Sequence, residues 1–527
     1  MDIRAPPVFD RLNSLTPLTA DGQAVELSEI VLSDLGTAVA AVVPPPTTQA
    51  SLPPDPPPFL VGTAISTFQN SGDSNNSKPE SNWGEFAKGS HFCCIPHVRS
   101  GKKTNGRYWE YGTKVCSGPD FWNRYEEDIQ AAKAIGCNSL RFSLEWSRIE
   151  PRKGFVDQAA MNRFQEIFDC IIANGMEPMP TFYHFVYPAW FCRMGGFAKK
   201  ENIPLFVEFC KMTFLAFQRK ARFWATINEP NVQVFFGYIC GNHTPGSLLT
   251  LGKAGKVMCN LLLSHKEVYN MIKALPGGCD AQIGIVHNYM WFEPKGKGLL
   301  YAFTRYLCTR VNHWYGNDLF IEFFKTGRFK WEKALPACCG YVEHSETELP
   351  KMDWLGINYY TRSLMSPLFI PTCHKGEYMT DMPYRAYPQG LYEAVSHLSE
   401  LGVPMYITET GVADRDDVFR ERHIKDYMDQ VERCVADGYD LRGVMYWTLV
   451  DNFEWDQGWT MHFGLYEFDP KTKVRRLREG AKVLKGIFEE LPARVREMST
   501  RGSRVANGNN IPAIVDPNGT RSPRKRS

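Results

Sequence analysis

Short runs of apolar, β-branched and aromatic residues recur along this chain. They are separated by longer stretches in which apolar positions return every three or four residues. The runs at 59–66, 139–145, 177–184, 221–228, 282–288, 352–360, 404–410 and 443–450 have the length and composition of buried strands. Helical periodicity fills the gaps, as over Asp120–Ile135, Ala159–Asn174, Ile203–Lys220 and Leu391–Leu401. Eight such strands, each followed by helical sequence, predict an α/β fold: a single (β/α)8 TIM barrel rather than an open sheet. Such a barrel gathers its chemistry where the strands end.

The polar residues at those ends are informative. In chain order they include Gln69, Arg141, His184, Asn228 with Glu229, Asn288, Asn358 with Tyr360, Glu409, and Glu454 just beyond the eighth run. Nearly every strand delivers a hydrogen-bonding group to one cavity, which predicts a site for a polyol. Glu229 closes the fourth run in Ala225-Thr226-Ile227-Asn228-Glu229-Pro230, and Glu409 the seventh in Met405-Tyr406-Ile407-Thr408-Glu409-Thr410-Gly411. A carboxyl at a strand end is held rigidly yet stays reachable by a ligand. Two facing one cavity are what glycosidic-bond cleavage needs, one protonated to release the leaving oxygen and one ionised to attack or stabilise the sugar carbon.

Charge and cysteine usage narrow the partner. The net charge of the 527 residues is +2, so no global field recruits nucleic acid or an anionic membrane. A small neutral molecule is the expected partner. The 15 cysteines are odd in number and form no CxxC pair with matching His spacing, which argues against structural zinc and for a reduced, cytoplasmic setting. Met1-Asp2-Ile3-Arg4 leads into no apolar secretion core, and the greasy stretch from Leu32 to Val43 is too short to span a bilayer. No transmembrane segment is expected.

Composition also sets boundaries. Residues 1–56, with Pro44-Pro45-Pro46 and the prolines from Pro53 to Pro58, are expected to be a disordered, stiff extension. Residues 57–495 hold the barrel, and 496–527 form a basic tail expected to be disordered. The stretches 70–118 and 366–386 read as insertions over the barrel mouth. The former carries Lys102, Lys103, Arg107, Trp109 and Tyr111, and reads as either a lid or a solvated loop. Oligomeric state is not legible.

Several motifs are specific: Thr226-Ile227-Asn228-Glu229-Pro230, Ile407-Thr408-Glu409, Leu140-Arg141-Phe142-Ser143 with Trp146-Ser147-Arg148, Gly356-Ile357-Asn358-Tyr359-Tyr360, and Asp451-Asn452-Phe453-Glu454-Trp455. In these the chain resembles glycoside hydrolase family 1, the β-glucosidase family, from Phe59 to about Leu491. The resemblance implies a retaining β-glycosidase, most nearly a β-glucosidase, acting through a covalent glycosyl-enzyme on a small-molecule β-glycoside without metal or organic cofactor. Glu409 is implied as the nucleophile and Glu229 as acid and base. Arg141 and Tyr360 would support Glu409, and Asn228 would reach the sugar 2-OH. Gln69, His184, Trp447, Glu454, Trp455 and Asn358 are implied sugar contacts, and Tyr384 stands where the family has an aglycone-stacking Trp. Glu454 would repel a phosphate, favouring an unphosphorylated sugar.

The departures from the family pattern are Phe185 and Val186 after His184, Thr410 after the nucleophile, His462 for the usual Arg, and Ser71 for a frequent Glu. They leave sugar and aglycone choice open among glucose, galactose and fucose. Two competing readings remain: a transglycosidase passing the same intermediate to a sugar or lipid hydroxyl, and a silent sugar-binding barrel.

Overall fold

A computed structural model describes residue 52 and residues 59–72, 80–88, 118–332, 342–367, 370–382 and 384–505. Eight parallel strands form a closed barrel: β1 (Leu60–Ala64), β2 (Ser139–Ser143), β3 (Glu177–Tyr183), β4 (Phe223–Asn228), β5 (Gln282–Tyr289), β6 (Trp354–Tyr359), β7 (Met405–Thr410) and β8 (Leu441–Trp447). Each strand pairs with its neighbours in sequence, and β8 pairs back onto β1. The expected strand runs and the observed strands coincide to within a few residues.

The helices wrap outside. Among them are α1 (Phe121–Ala134), α2 (Gln158–Ala173), α3 (Ile203–Phe217), α4 (Leu251–Ala274), α5 (Gly298–Tyr315), α6 (Asn317–Thr326), α7 (Gln389–Leu398), α8 (Arg420–Ala436) and α9 (Val483–Val505). In α2, Asp157 caps the first turn by accepting from the amides of Ala159 and Ala160. Met161, Phe164, Phe168 and Ile171 then recur on one buried face. The last helix runs past the expected boundary at 495, anchored by buried Leu484, Phe488, Leu491 and Val495 at helical spacing. Residues 506–527, most of the N-terminal extension, and Lys102, Lys103, Arg107, Trp109 and Tyr111 lie outside the described residues.

Two cores result. One lies between strands and helices; the other fills the barrel itself with Leu60, Met179, Phe223, Trp354, Tyr406 and Met445. Tyr406 packs edge-on against both Phe223 and Trp354, with ring centroids 5.6 and 5.5 Å away. The inside of the barrel is therefore packed with side chains below the polar strand ends that carry the site.

Register irregularities decide what faces the barrel interior. On β7, Tyr406 packs inside and Ile407 outside, and the β6–β7 register then shifts between Ile407 and Glu409. On β4, Ala225 packs inside and Ile227 outside, and the β4–β5 register shifts between Ala225 and Asn228. Both shifts break strict alternation just before a carboxyl-bearing strand end, as β-bulges do when they re-aim a side chain. Among the described residues no helix is long and apolar enough to cross a membrane. Cys137, Cys210, Cys259, Cys308 and Cys434 are buried as free thiols.

The packed interior is tight enough to test. A Cβ at Gly284 would sit 2.3 Å from the Trp354 ring and 2.7 Å from the Trp354 carbonyl oxygen. Gly284→Ala is expected to cost about 1–3 kcal/mol through overpacking, read as a lower denaturation midpoint. An unchanged midpoint would mean that the Trp354 layer is not close-packed.

Candidate active site

Glu229 sits one residue beyond β4 with φ 47° and ψ 62°, the left-handed region, ahead of a short helix, Pro230–Val234, that begins with proline. Such a conformation costs a non-glycine residue about 1–3 kcal/mol. Phe185 (φ 65°) and Trp455 (φ 44°), whose rings meet, also have positive φ. Asn82 braces the first of these turns: its amide nitrogen donates to the Phe185 carbonyl at 2.9 Å, and its oxygen accepts from the Tyr187 amide at 3.0 Å.

Arg141, from β2, ties the far strands together. Its Nη1 donates to Glu409 Oε1 at 2.5 Å, and its Nη2 to Asn228 Oδ1 at 2.6 Å. Tyr360 donates its hydroxyl proton to the other Glu409 oxygen at 2.7 Å. Glu229 has a different environment. Its Oε1 accepts from two neutral amides, Asn288 at 2.7 Å and Asn358 at 2.8 Å. Asn358 also donates to Asn228 Oδ1 at 3.2 Å, and its own oxygen accepts from Thr408 at 2.7 Å. Tyr315, from α5, donates to the Asn288 oxygen. The Asn358 and Asn228 oxygens are therefore engaged within the protein.

These surroundings separate the two acids. Burial, with the Glu409 charge added, pushes Glu229 up to about 8, against the pull of Asn288 and Asn358. Burial also raises Glu409 from the ordinary carboxylate value, but Arg141 and Tyr360 oppose it. When the pair holds one proton, the carboxyl without a bound cation keeps it, so Glu229 is the protonated member and Glu409 the anion. Glu454 is pushed up to about 8 as well, first by burial and then by Glu409 and Asp456.

His184 is buried and its pKa is held well below the usual value, first by burial and then by Arg141. It is therefore neutral. Its Nε2 lies 3.2 Å from the Asn228 amide nitrogen, a donor, which assigns the ring proton to Nδ1. That Nδ1 is buried and has no hydrogen-bond partner. Two further buried oxygens, Gln69 Oε1 and Glu454 Oε2, also lack partners. Gln69 Nε2 binds the Phe453 carbonyl at 2.9 Å, one residue before Glu454. The rings of Trp447 and Trp455 stack on His184 at 5.8 and 6.2 Å, and Phe185 meets Trp455 edge-on at 5.3 Å. The Tyr384 phenol is raised well above the usual value, first by burial and then by the Glu454 charge.

Hydrogen bonds thus join Arg141, Asn228, Glu229, Glu409, Tyr360, Asn358 and His184, and stacking adds Trp447 and Trp455. His462 stands apart, bonded to Asp451 at 2.9 Å, where Arg478 also binds at 2.5 Å. The roles of Thr408 and Tyr315 are not readable from the chain. Asn288 is marked only by its strand-end position, and Tyr315 comes from a helix with no polar motif.

Comparison with known proteins identifies the family. The family model described as Glycosyl hydrolase family 1 matches residues 50–491. A 1,4-beta-D-glucan glucohydrolase of Thermotoga neapolitana is 28% identical over 412 residues, covering 73% of this chain and 89% of the relative. Beta-glucosidase 47 of Arabidopsis thaliana is 28% identical over 471 residues, covering 82% of this chain and 84% of its own. A solved beta-glycosidase from Pyrococcus horikoshii superposes with a TM-score of 0.68 at 28% identity, covering 86% of this chain and 98% of that one.

Asn288 offers a direct test of the electrostatics. Its donated hydrogen bond favours the ionised form of Glu229. Asn288→Ala is therefore expected to move the Glu229 titration to higher pH than in the unmodified protein, followed through the infrared band of its protonated carboxyl. A downward shift would contradict the assignment.

Proposed function

The chain belongs to glycosyl hydrolase family 1, and on that premise we propose that it is a retaining β-glycosidase, with glucose as its preferred sugar. The observation that carries the proposal is the pair of buried carboxyls with unlike partners, Glu409 on a guanidinium and Glu229 on two neutral amides. Hydrolysis, rather than transfer to a sugar or lipid acceptor, is the reaction in the family's name.

In the first step the Glu409 carboxylate attacks the anomeric carbon while Glu229 gives its proton to the departing glycosidic oxygen. The C–O bond to the aglycone breaks, and a glycosyl ester on Glu409 forms. In the second step the Glu229 carboxylate takes a proton from water, whose oxygen attacks the same carbon and frees Glu409. Arg141 and Tyr360 hold Glu409 in line and stabilise it as an anion. Asn358 and Asn288 position Glu229, and Asn228, already bound to Arg141, directs its remaining N–H towards the 2-OH.

The unpartnered polar atoms of Gln69, His184 and Glu454 suit a ring carrying adjacent hydroxyls, with Trp447 and Trp455 as its apolar wall. The glucoside preference rests on the names of the relatives. The buried thiols suit a reducing compartment, the cytoplasm. The barrel as one catalytic domain with non-catalytic extensions completes the proposal.

Kinetics of purified variants on aryl β-glucosides tests the assignment. Glu409→Gln is expected to lose at least about 10⁴-fold in kcat on every substrate. Glu229→Gln should retain the first step with good leaving groups and stall in the second, and azide, which needs no base, should restore turnover as a β-glycosyl azide. Equal loss on activated and unactivated substrates, without azide rescue, would remove Glu229 from its role.

The pH profile follows from the same groups. Glu229 must be protonated, so kcat/KM falls as pH rises through about 8. Glu409 must be ionised, so kcat/KM also falls as pH drops through its burial-raised value. An alkaline limb that persists unchanged in Glu229→Gln on activated substrates would assign that limb to another group.

A further inference from the structure

Beside Tyr384 lies a cavity of 180 Å³, bordered by Arg362, Ser363, Thr372, Met379, Tyr384 and Arg385 among others. Its two arginines differ. Arg362 is neutralised twice, by Glu293 at 2.8 Å and Glu377 at 2.7 Å, and its guanidinium lies over the Tyr387 ring at 3.7 Å. Arg385 has no ion-pair partner among the described residues, and its Nε is buried without a hydrogen bond. Its main chain, by contrast, is fixed: its carbonyl accepts from Thr361, and it bridges Met379 across an antiparallel contact. A held stem whose Nε is buried and unpaired, with no carboxylate on the guanidinium, is suited to an incoming anion.

The position of the cavity identifies the occupant. Tyr384 and Arg385 border it, and the Arg385 carbonyl is bonded to Thr361, the residue after the Tyr360 that binds Glu409, so the cavity adjoins the end of β6 beside the carboxyl pair. Lys295 donates to the carbonyl of Cys373, another lining residue, adding positive charge at the rim. We infer that this cavity receives the leaving group and that Arg385 selects aglycones bearing an oxyanion, a carboxylate being the simplest. The inference rests on the glycosidase reading and adds to it the class of substrate.

The test compares 4-carboxyphenyl β-D-glucoside with its neutral carboxamide, on wild type, Arg385→Gln and Arg385→Lys. Leaving-group chemistry cancels when the ratio of the two kcat/KM values is compared between proteins. That ratio is expected to fall about tenfold in Arg385→Gln, mainly through KM, as befits one charge-assisted hydrogen bond. Arg385→Lys should retain part of it, and high salt should erode it in wild type, a readout that needs no variant. A ratio unmoved by salt, or kcat/KM lowered equally for both substrates in the variants so that the ratio stays constant, overturns the pocket while leaving the glycosidase reading intact. Failure to turn over the neutral substrate at all overturns the glycosidase reading, and the pocket with it.

Discussion

The salt bridge between Arg141 and Glu409 is the contact on which the rest depends. Both side chains are almost fully buried, at 1% and 4% exposure. Neither charge could be held there without the other. The guanidinium starts on β2, reaches Glu409 at the end of β7, and holds Asn228 at the end of β4. One planar fork thus links three strands, which a lysine, as a point charge, would not do. A buried ion pair adds little net stability over an apolar replacement, whereas removing one partner costs about 3–5 kcal/mol because the other is left uncompensated. Its value is positional: it decides which carboxyl is the anion.

The barrel supplies the rigidity that this arrangement requires. Trp354, Tyr406, Phe223 and Met445 fill the interior, so the strand ends above them cannot relax inward. That constraint lets Phe185, Glu229 and Trp455 keep positive φ beyond the strand ends. It also maintains unpaired polar atoms on Gln69, His184 and Glu454, each costing about 1–3 kcal/mol when left unsatisfied. Strain and missing hydrogen bonds concentrated in one place are what a ligand with several hydroxyls would relieve.

The strands were legible in the chain because a parallel barrel buries both faces of each strand, leaving near-continuous apolar runs. The strand-end position and flanking motifs marked Arg141, Asn228, Glu229, Asn358 and Glu409. The register shifts that aim Asn228 and Glu409 into the cavity were not legible, because they depend on how β4 meets β5 and β6 meets β7. The Thr408 bond to Asn358 and the Tyr315 bond to Asn288 join residues far apart in sequence, so neither pairing can be read from a motif. The last helix shows another limit: the basic composition after 495 suggested a tail, yet the helix continues to Val505.

Charge is sorted between the carboxyl cluster and the Arg385 cavity. The former contains Glu229, Glu409 and Glu454 around one guanidinium, and burial raises all three carboxyls. Near neutral pH, Glu229 and Glu454 favour their protonated forms, leaving Glu409 and Arg141 to cancel each other. A neutral sugar enters such a site without an electrostatic penalty, whereas a phosphate would meet Glu409 and drive the other carboxyls further towards protonation. The opposite bias lies beyond Tyr384, where Arg385 has no counter-ion among the described residues. A glycoside whose only charge is an anion on its aglycone is attracted in one orientation and repelled in the other. Substrate orientation thus follows, on the inferred pocket, from one division of charge.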